Sequence, residues 1–361
     1  MCRSMPGKVF LMAGGGTGGH VIPALAVARE LHRRGHEPFF VGTERGVEAR
    51  MVPAAGFPLE LVRIGALKRV SVVQRTATLT QLPLSTLRMI GLMRRKGTAA
   101  VFSMGGYAAG PPVIAALAVR TPVVVMEPNA VPGFTNRRIG RLVARALLSF
   151  PETSRYFRPG RTELTGLPVR EEFFMLPVKQ REAKFTVLVT GGSQGSRTLN
   201  RAARDSWPLF REAGLPVRMM LQTGKPEFEA VQRGFAASGV EGDVVPFIDD
   251  MPGAFAAADL IVCRAGAGAV AELAAAGKPS VLVPFPFAAD DHQLHNAEAF
   301  ARAGSAKLVL DRDFTGAKLF ETVRALAAGS DALDRMGEAA RKFAHPGAAR
   351  RAAEILEEVA R

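Results

Sequence analysis

The segment "GGGTGGH", from Gly14 to His20, follows a short apolar run and comes just before a helical pattern. Gly14, Gly16 and Gly19 satisfy the G-x-G-x-x-G spacing of dinucleotide-binding loops, and Glu44 beyond the next apolar run could supply the acid for a ribose. A P-loop does not fit, because His20 stands where the phosphate-binding lysine would be needed. The loop predicts a ligand site at the carboxyl end of a strand, with a nicotinamide cofactor as one alternative.

His20 is itself a candidate general base. In the first turn of a helix, the positive end of the helix dipole disfavours imidazolium, which keeps the ring neutral and able to accept a proton near pH 7. The alternative interpretation is a histidine that only forms a hydrogen bond with its own loop. The residue alone does not separate the two.

A second candidate site lies in "DLIVCRAGAGAVAELAAAG", which predicts a strand, a small-residue turn at residues 264–268 and a helix that ends at Gly277. Backbone N–H groups at such a helix start suit a diphosphate, and Glu272 on the early turns could accept both hydroxyls of a ribose. The alternative is an ordinary surface glutamate near a helix N-terminus.

A third segment, "AADDHQLHNA" at residues 288–297, concentrates acid, amide and imidazole side chains. They are Asp290, Asp291, His292, Gln293, His295 and Asn296. This mixture is typical of a site that reads sugar hydroxyls. A metal site is the weaker alternative, because the two histidines come with no cysteine and no clear third ligand.

These segments need a framework, and the sequence predicts one of the α/β class. Strand-like apolar runs alternate with helical patterns, as parallel, doubly wound sheets require. The order of strand, glycine loop and helix at residues 9–35 restarts at 185–214, after a segment rich in Pro, Gly and Arg. We therefore predict two Rossmann-like domains, residues 1–165 and 166–344, facing each other across a cleft, with a helix at about 345–361 returning to the first.

Length and composition agree with this organisation. The 361 residues are enough for two domains, and 48% hydrophobic with 22% charged residues is a globular composition. The two cysteines, Cys2 and Cys263, offer no disulfide framework and no cluster for structural zinc, which fits a reducing cytosol. The apolar run at 9–13 is too short for a signal peptide.

One uncharged stretch, residues 97–119, is long enough to cross a bilayer. Glycines and prolines between residues 105 and 112 would leave backbone groups unpaired in lipid. We therefore predict a buried strand, glycine loop and helix here, and no transmembrane helix.

The net charge of +14 is concentrated in the first half of the chain. Residues 1–163 contain 23 Lys or Arg and 8 Asp or Glu, whereas residues 164–361 contain 24 and 25. A basic half predicts an acidic partner, and the few aromatic residues argue against nucleic acid. An anionic membrane surface is favoured.

Residues 70–97 combine an apolar stripe with a basic cluster. The stripe is Leu79, Leu82, Met89, Ile90 and Met93, and the cluster is Arg88, Arg94, Arg95 and Lys96. Interfacial binding uses this combination, so we predict peripheral membrane docking here, with Pro83 breaking the helical run. The alternative is that the side chains only pack on the sheet.

Seven motifs, in their order and spacing, resemble the MurG family of UDP-N-acetylglucosamine transferases, and the resemblance covers nearly the whole chain. They are "GGGTGGH", "MGGYAAGPP", "EPNAVPGFTN", "GGSQGSRTLN", "FIDDM", "CRAGAGAVAE" and "PFPFAADDHQLHNA". The resemblance implies the GT-B fold and an inverting transfer of GlcNAc from UDP-GlcNAc to the C4 hydroxyl of undecaprenyl-diphospho-MurNAc-pentapeptide (lipid I), giving lipid II. It implies no tightly bound cofactor, with magnesium able to assist turnover without a protein metal site.

The resemblance also implies a peripheral protein at the cytoplasmic face of the inner membrane. Its partners would be UDP-GlcNAc, lipid I, the anionic membrane surface, and cell-wall and division proteins. Two other functions stay open as alternatives, a UDP-GlcNAc 2-epimerase and a non-catalytic nucleotide-sugar-binding module.

Carried onto this sequence, the resemblance assigns UDP-GlcNAc mainly to the second domain and the lipid acceptor to the first. The uracil and ribose contacts fall on Ile248, Arg170 and Glu272, with Met251 beside them, and the diphosphate on Ser193, Gly266, Ala267, Gly268 and Ala269. The contacts to the sugar fall on Gln293, His292 and Asn129, supported by Asn296, with Thr17, Gly18 and Gly19 also on the donor. Catalytic roles fall on His20 and Glu127, and the acceptor side on Gly16 and Tyr107.

Three positions depart from the family pattern. Ala269 stands where relatives often have threonine, so any hydroxyl contact to phosphate is lost there. Leu167 replaces the asparagine of "GNPVR", and Pro128 replaces the glutamine of "EQN". None of the three removes a proposed catalytic group.

Overall fold

The computed structural model describes residues 7–62, 72–106, 108–180 and 182–360, and the side chains of residues 72–80 and of Ser330 are not described. The chain divides into two compact units. Unit 1 comprises Met1–Pro168 with Gly347–Arg361, and unit 2 comprises Val169–Pro346. Each unit is built around one parallel sheet.

Unit 1 has a seven-stranded sheet in the order β3-β2-β1-β4-β5-β6-β7. The strands are β1 (Val9–Gly14), β2 (Glu37–Gly42), β3 (Leu59–Leu61), β4 (Thr98–Gly105), β5 (Val123–Glu127), β6 (Arg145–Leu148) and β7 (Thr162–Leu164). The helices are α1 (Gly18–Arg33), α2 (Glu48–Ala54), α3 (Val72–Lys96), α4 (Gly110–Ala118), α5 (Phe134–Ile139) and, from the end of the chain, α13 (Ala348–Val359). The central strands are apolar and buried along their length, because helices cover both faces of a parallel sheet.

Unit 2 has a six-stranded sheet in the order β10-β9-β8-β11-β12-β13. Its strands are β8 (Phe185–Thr190), β9 (Val217–Gln222), β10 (Glu241–Val245), β11 (Leu260–Cys263), β12 (Ser280–Leu282) and β13 (Ala306–Leu308). Its helices are α6 (Arg197–Glu212), α7 (Phe228–Ala236), α8 (Met251–Ala257), α9 (Ala267–Ala276), α10 (His292–Arg302), α11 (Gly316–Ala327) and α12 (Ser330–Arg341). Both sheets reverse strand order beside their first strand, which is the doubly wound topology.

The predicted α/β class with two Rossmann-like domains is confirmed. The uncharged stretch 97–119 forms β4, a glycine loop and α4, as the sequence predicts. Within the described part of the chain, no helix is both long and apolar enough to span a bilayer. Two three-residue edge strands, β7 and β13, were not indicated by the apolar runs.

The prediction for residues 70–97 needs correction in two respects. Pro83 does not break the helix, because α3 runs through it without interruption. Met89 and Met93 are buried and, with Ile90 packed beside them, belong to the hydrophobic core of unit 1. They therefore cannot form the predicted membrane-facing stripe; Leu79 and residues 70–71 lie outside the described residues and side chains.

Candidate active site

The carboxyl ends of β1, β4 and β5 lie side by side in the sheet of unit 1, so their three loops meet at one edge. The loop after β1 carries His20, the loop after β4 carries Gly106, and the loop after β5 carries Asn129. A Cβ on Gly106 would lie 3.4 Å from the carbonyl oxygen of Gly15 and 3.5 Å from His20 Nδ1. These are ordinary contact distances, so the two loops touch at this point, and the φ of +79° at Gly106 is what favours glycine there.

His20 lies in the first turn of α1, as predicted, with a half-buried ring. Its Nδ1 is 3.3 Å from the carbonyl oxygen of Gly15 and 3.5 Å from Thr17 Oγ1. A donated Thr17 hydroxyl would need the lone pair on Nδ1, whereas a hydrogen bond to Gly15, the shorter of the two contacts, places the proton on Nδ1, because a carbonyl oxygen can only accept. The lone pair is then on Nε2, which is the nitrogen a general base would use.

The remaining predicted residues of this loop surround His20. Gly16 has a φ of +89°, a left-handed conformation that favours glycine. Thr17 is the exposed N-cap residue of α1, and Gly18 and Gly19 are its first two residues. Tyr107, predicted on the acceptor side, lies outside the described residues.

Glu127 is buried at the end of β5, where four N–H donors surround its carboxylate. Oε1 accepts from the backbone and side-chain N–H groups of Asn129, both at 3.1 Å. Oε2 accepts from Gly133 N at 3.1 Å and from Asn136 Nδ2 at 2.9 Å. Burial raises the pKa of Glu127 to about 7, although the donors favour the carboxylate. The arrangement fixes the loop that presents Asn129.

Sequence reasoning missed Glu48, which is fully buried at the start of α2. Its Oε2 accepts from Gly16 N at 2.8 Å. Glu44, proposed as the ribose acid of a nicotinamide site, is exposed. The signal for Glu48 in the sequence was its position shortly after two glycines, Gly42 and Gly46, and its contact with Gly15 is visible only in the structure.

Unit 2 gathers a second set of loops at the carboxyl ends of β8, β9 and β11. Ser193 is exposed in the loop after β8. Gln222, which sequence reasoning also missed, is buried at the end of β9 and donates from Nε2 to the carbonyl oxygen of Gly192 at 2.8 Å. Its Oε1 accepts from Ile248 N at 2.9 Å. One side chain therefore holds together the backbone beside Ser193 and the backbone of Ile248, and Met251 begins α8 shortly afterwards.

Arg264 joins the turn after β11 to its neighbours. Nη2 donates to Ser196 Oγ at 2.7 Å, and Nη1 donates to the carbonyl oxygen of Val283 at 3.1 Å. Nη1 is also 2.5 Å from Asp311 Oδ1. Ser196 caps α6, so the guanidinium fixes two glycine-containing loops at once.

The predicted diphosphate site is the N-terminus of α9. Gly266 is its N-cap, and Ala267, Gly268 and Ala269 form the first turn, with half-buried backbone and free space around both glycines. Glu272 lies one turn further along, and burial raises its pKa to about 7 against the positive charge of Arg170. Arg170 itself is exposed, with its guanidinium 5.0 Å from the ring centre of Phe173. The site therefore combines the N–H dipoles of the α9 N-terminus with one carboxyl, Glu272, that titrates near neutral pH.

The predicted sugar-reading residues lie at the start of α10, with unequal roles. Gln293 Oε1 accepts from Phe285 N at 3.0 Å, and Asn296 is buried and donates to the carbonyl oxygen of Ala265 at 3.2 Å. His292 Nδ1 lies 2.6 Å from the carbonyl oxygen of Ala289. His295 turns to Glu298, 3.3 Å away. Gln293 and Asn296 therefore link α10 to the loop after β12 and to the turn before α9.

Asp290 and Asp291 both have left-handed backbone, with φ of 51° and 50°. Aspartate tolerates this conformation better than most residues, yet two in succession place the loop under strain. Among the residues that the structure describes, no group of three or more His, Cys, Asp or Glu side chains could hold a metal ion.

Both units match one family of known proteins. Residues 10–148 match the glycosyltransferase family 28 N-terminal domain, and residues 186–352 match the glycosyltransferase family 28 C-terminal domain. The chain is thus a family 28 glycosyltransferase of the GT-B fold class.

Similarity to individual proteins identifies the family within this class of glycosyltransferases. A UDP-N-acetylglucosamine–N-acetylmuramyl-(pentapeptide) pyrophosphoryl-undecaprenol N-acetylglucosamine transferase of Solibacter usitatus (strain Ellin6076) is 66% identical over 98% of this chain and 96% of its own length. The crystal structure of Acinetobacter baumannii MurG is 32% identical, with a TM-score of 0.83 over 97% of this chain and 99% of that one. The chain belongs to the MurG family.

A more distant neighbour shares only the fold. The UDP-GlcNAc 2-epimerase of Neisseria meningitidis, bound to UDP-GlcNAc, superposes with a TM-score of 0.67 over 97% of this chain and 100% of its own, at 13% identity.

Proposed function

We propose that this protein transfers GlcNAc from UDP-GlcNAc to the C4 hydroxyl of lipid I, forming lipid II for peptidoglycan synthesis with inversion at the anomeric carbon. The observation that carries the proposal is the 66% identity, over nearly both full lengths, to a relative that bears the name of this activity. The two sets of loops, one at each sheet's carboxyl edge, supply groups suited to the acceptor and to the donor.

On the donor side, negative charge develops on the diphosphate as the bond to the anomeric carbon breaks. The N–H groups at the start of α9, from Ala267 to Ala269, and the hydroxyl of Ser193 would stabilise this charge. Losing one such donor typically raises a barrier by about 2.7–4 kcal/mol. Glu272 would accept the ribose hydroxyls, Arg170 would neutralise part of its charge, and Gln222 would hold Ile248 beside the base.

On the acceptor side, the C4 hydroxyl must lose its proton as its oxygen attacks. His20 Nε2 would take that proton, which forms an N–H bond as the O–H bond breaks, while UDP leaves from the opposite face of the sugar. General-base assistance of this kind contributes about 10²–10⁴-fold in rate. Glu127 would act by holding Asn129 in place.

The activity is tested with the purified protein, radiolabelled UDP-GlcNAc and a lipid I analogue. We expect label in the lipid product and a strict requirement for the acceptor. Conversion of the sugar at C2 would favour the epimerase, and binding without turnover would favour the binding module; either result would overturn the proposal. His20→Ala should lower kcat with UDP affinity retained, whereas the control His32→Ala, at an exposed histidine in the last turn of α1, should leave kcat unchanged.

We further propose that unit 1 docks on anionic lipid through the outer face of α3. Leu84 is 54% and Leu87 is 65% exposed, and Arg88, Arg94 and Arg95 are exposed on the same helix. Lys96 is excluded, because it lies over the ring of Phe39 and 3.6 Å from Glu60. Each basic residue near an anionic surface contributes about 1 kcal/mol, and salt screens it. A lipid-linked acceptor makes such docking useful, since its undecaprenyl chain stays in the bilayer.

Co-sedimentation with phosphatidylglycerol vesicles at low and high salt tests this docking. We expect binding at low salt that falls when Arg88, Arg94 and Arg95 are changed to Ala together. The matched control replaces three exposed arginines of unit 2, Arg197, Arg201 and Arg211. Equal losses in the two triple variants would show that net charge, rather than α3, determines binding.

A further inference from the structure

The buried acid of unit 1, Glu48, occupies a cage formed by glycines. A Cβ on Gly15 would lie 2.4 Å from Glu48 Oε1, and a Cβ on Gly46 would lie 2.1 Å from Oε2. A Cβ on Gly42 would lie 2.3 Å from Cγ of the same side chain. Gly15, Gly42 at the end of β2 and Gly46 therefore leave room for one carboxylate, which contacts the loop that carries His20.

The cage keeps this carboxylate ionised. Oε1 accepts from Thr43 N at 2.9 Å and from Thr43 Oγ1 at 3.0 Å, and Oε2 accepts from Gly16 N at 2.8 Å. Burial raises the pKa of Glu48, but the donors outweigh it and the pKa lies below its ordinary value. Among the described residues, the donors to Glu48 are the neutral groups of Thr43 and Gly16, and they favour the ionised carboxyl.

One peptide group connects Glu48 to His20. The N–H of Gly16 and the C=O of Gly15 belong to the same planar unit, and in a trans peptide they point in opposite directions. The N–H faces Glu48 Oε2 at 2.8 Å, and the C=O faces His20 Nδ1 at 3.3 Å. Hydrogen bonds in such a chain polarise one another, so the carboxylate strengthens the carbonyl as an acceptor.

We propose that Glu48 is a positioning residue that acts through the Gly15–Gly16 peptide to hold His20 as the Nδ1–H tautomer. The lone pair stays on Nε2, where the proton of the acceptor hydroxyl arrives. The charge of Glu48 also stabilises the imidazolium that then forms, which opposes the unfavourable effect of the α1 N-terminus. The kinetic part of this inference rests on the proposed function, whereas the tautomer is a property of the protein alone.

The tautomer is measured directly by long-range ¹H–¹⁵N correlation NMR on protein with ¹⁵N-labelled histidine. The chain has six histidines, and the signals of His20 are those missing from His20→Gln. We expect Nδ1–H in the wild type under conditions where the ring is neutral. Nε2–H in the wild type would overturn the proposal, whatever the variants do.

Glu48→Gln keeps the size of the side chain and removes its charge. Its amide can accept at one oxygen only, so it cannot serve both Gly16 N–H and Thr43 N–H. We expect a mixture of tautomers and a kcat lowered by about 10- to 100-fold, within the range of general-base catalysis, with KM for UDP-GlcNAc within about twofold. An unchanged tautomer in this variant, with or without a loss of kcat, would contradict the relay.

Two further variants separate positioning from simple stability. Thr43→Val removes one of the donors to Glu48 but leaves the Gly16 bond, so we expect a smaller change of tautomer and kcat than in Glu48→Gln. Glu30→Gln breaks ion pairs with Arg33 and Arg34 at the far end of α1, and should change neither readout. A tautomer change in Thr43→Val larger than that in Glu48→Gln, or any change in Glu30→Gln, would overturn the proposal. If the wild type transferred no GlcNAc, the proposed function would fail while the NMR result still decided the relay.

Discussion

The ionisation of Glu272 links the donor site to pH at the scale of a single residue. With a pKa of about 7 in the free protein, its carboxyl is largely protonated at pH 6 and largely ionised at pH 8. In the proposed site, ribose hydroxyls would donate to the carboxylate, so ligand binding would favour the ionised form and should become tighter as pH rises through 7. One unit below the pKa only about a tenth of the sites are ionised, which predicts up to about tenfold weaker binding.

Uridine is the suitable ligand for this prediction, because it carries no phosphate that titrates in the same range. Calorimetric titration at pH 6 and pH 8 measures the difference. Glu272→Gln should bind uridine weakly and equally at both values. Equal affinity of the wild type at pH 6 and pH 8 would rule out the ribose assignment.

Single residues also show where sequence reasoning stops. His20 at a helix start and Glu272 on the early turns of α9 follow from local pattern, because glycine loops and helix termini are local features. Glu48 and Gln222 do not, since each gains its role from loops that are distant in sequence. Glu44 and Glu48 are four residues apart, and only tertiary packing decides which of them is buried.

At the scale of elements, α13 tests how unit 1 is held together. Ile355 and Leu356 on this helix are fully buried, and α13 lies against α1. Its ion pairs include Arg351 with Glu163 at 2.6 Å, but both side chains are more than a third exposed. Apolar burial should therefore dominate, because exposed pairs contribute about 0–1 kcal/mol and a buried Leu→Ala change costs about 2–5 kcal/mol.

The expected outcome is a large loss of unit 1 stability in Leu356→Ala and a small one in Arg351→Ala. Unfolding in denaturant measures the stability of both variants, and limited proteolysis during the titration shows which unit unfolds. A larger effect of Arg351→Ala would show that the ion pairs hold the helix.

Elements with strong apolar patterns were predicted correctly, and two of the weaker ones, β7 and β13, were not. β1, β4 and β5 read as buried strands because they are apolar through their length. β7 and β13 are three residues long, include charged residues and occupy sheet edges, where the neighbouring strand rather than the sequence determines pairing. In α3, periodicity placed Met89 and Met93 on one face but could not say whether that face meets lipid or the core.

At the scale of the whole molecule, the two units carry separate halves of the proposed reaction, and this separation can be measured. UDP contains the base, ribose and diphosphate but no GlcNAc, and the groups proposed to contact these three parts all belong to unit 2. UDP at a concentration 100 times its dissociation constant stabilises the folded protein by about 2.7 kcal/mol. Local opening of the segments that contact UDP therefore becomes rarer. We expect UDP to slow amide hydrogen exchange at residues 190–196, 246–251 and 264–272.

Hydrogen exchange followed by mass spectrometry, with and without UDP, reads all of these segments in one experiment. The loop at Gly14–His20 should be unchanged, because Gly16 and His20 are proposed to serve the acceptor and Thr17, Gly18 and Gly19 the GlcNAc part of the donor, which UDP lacks. Glu272→Ala should lose the protection at equal ligand concentration, whereas His20→Ala should keep it. Protection of the His20 loop by UDP alone would contradict the division of labour between the units and place the nucleotide, rather than the acceptor, at the first glycine loop.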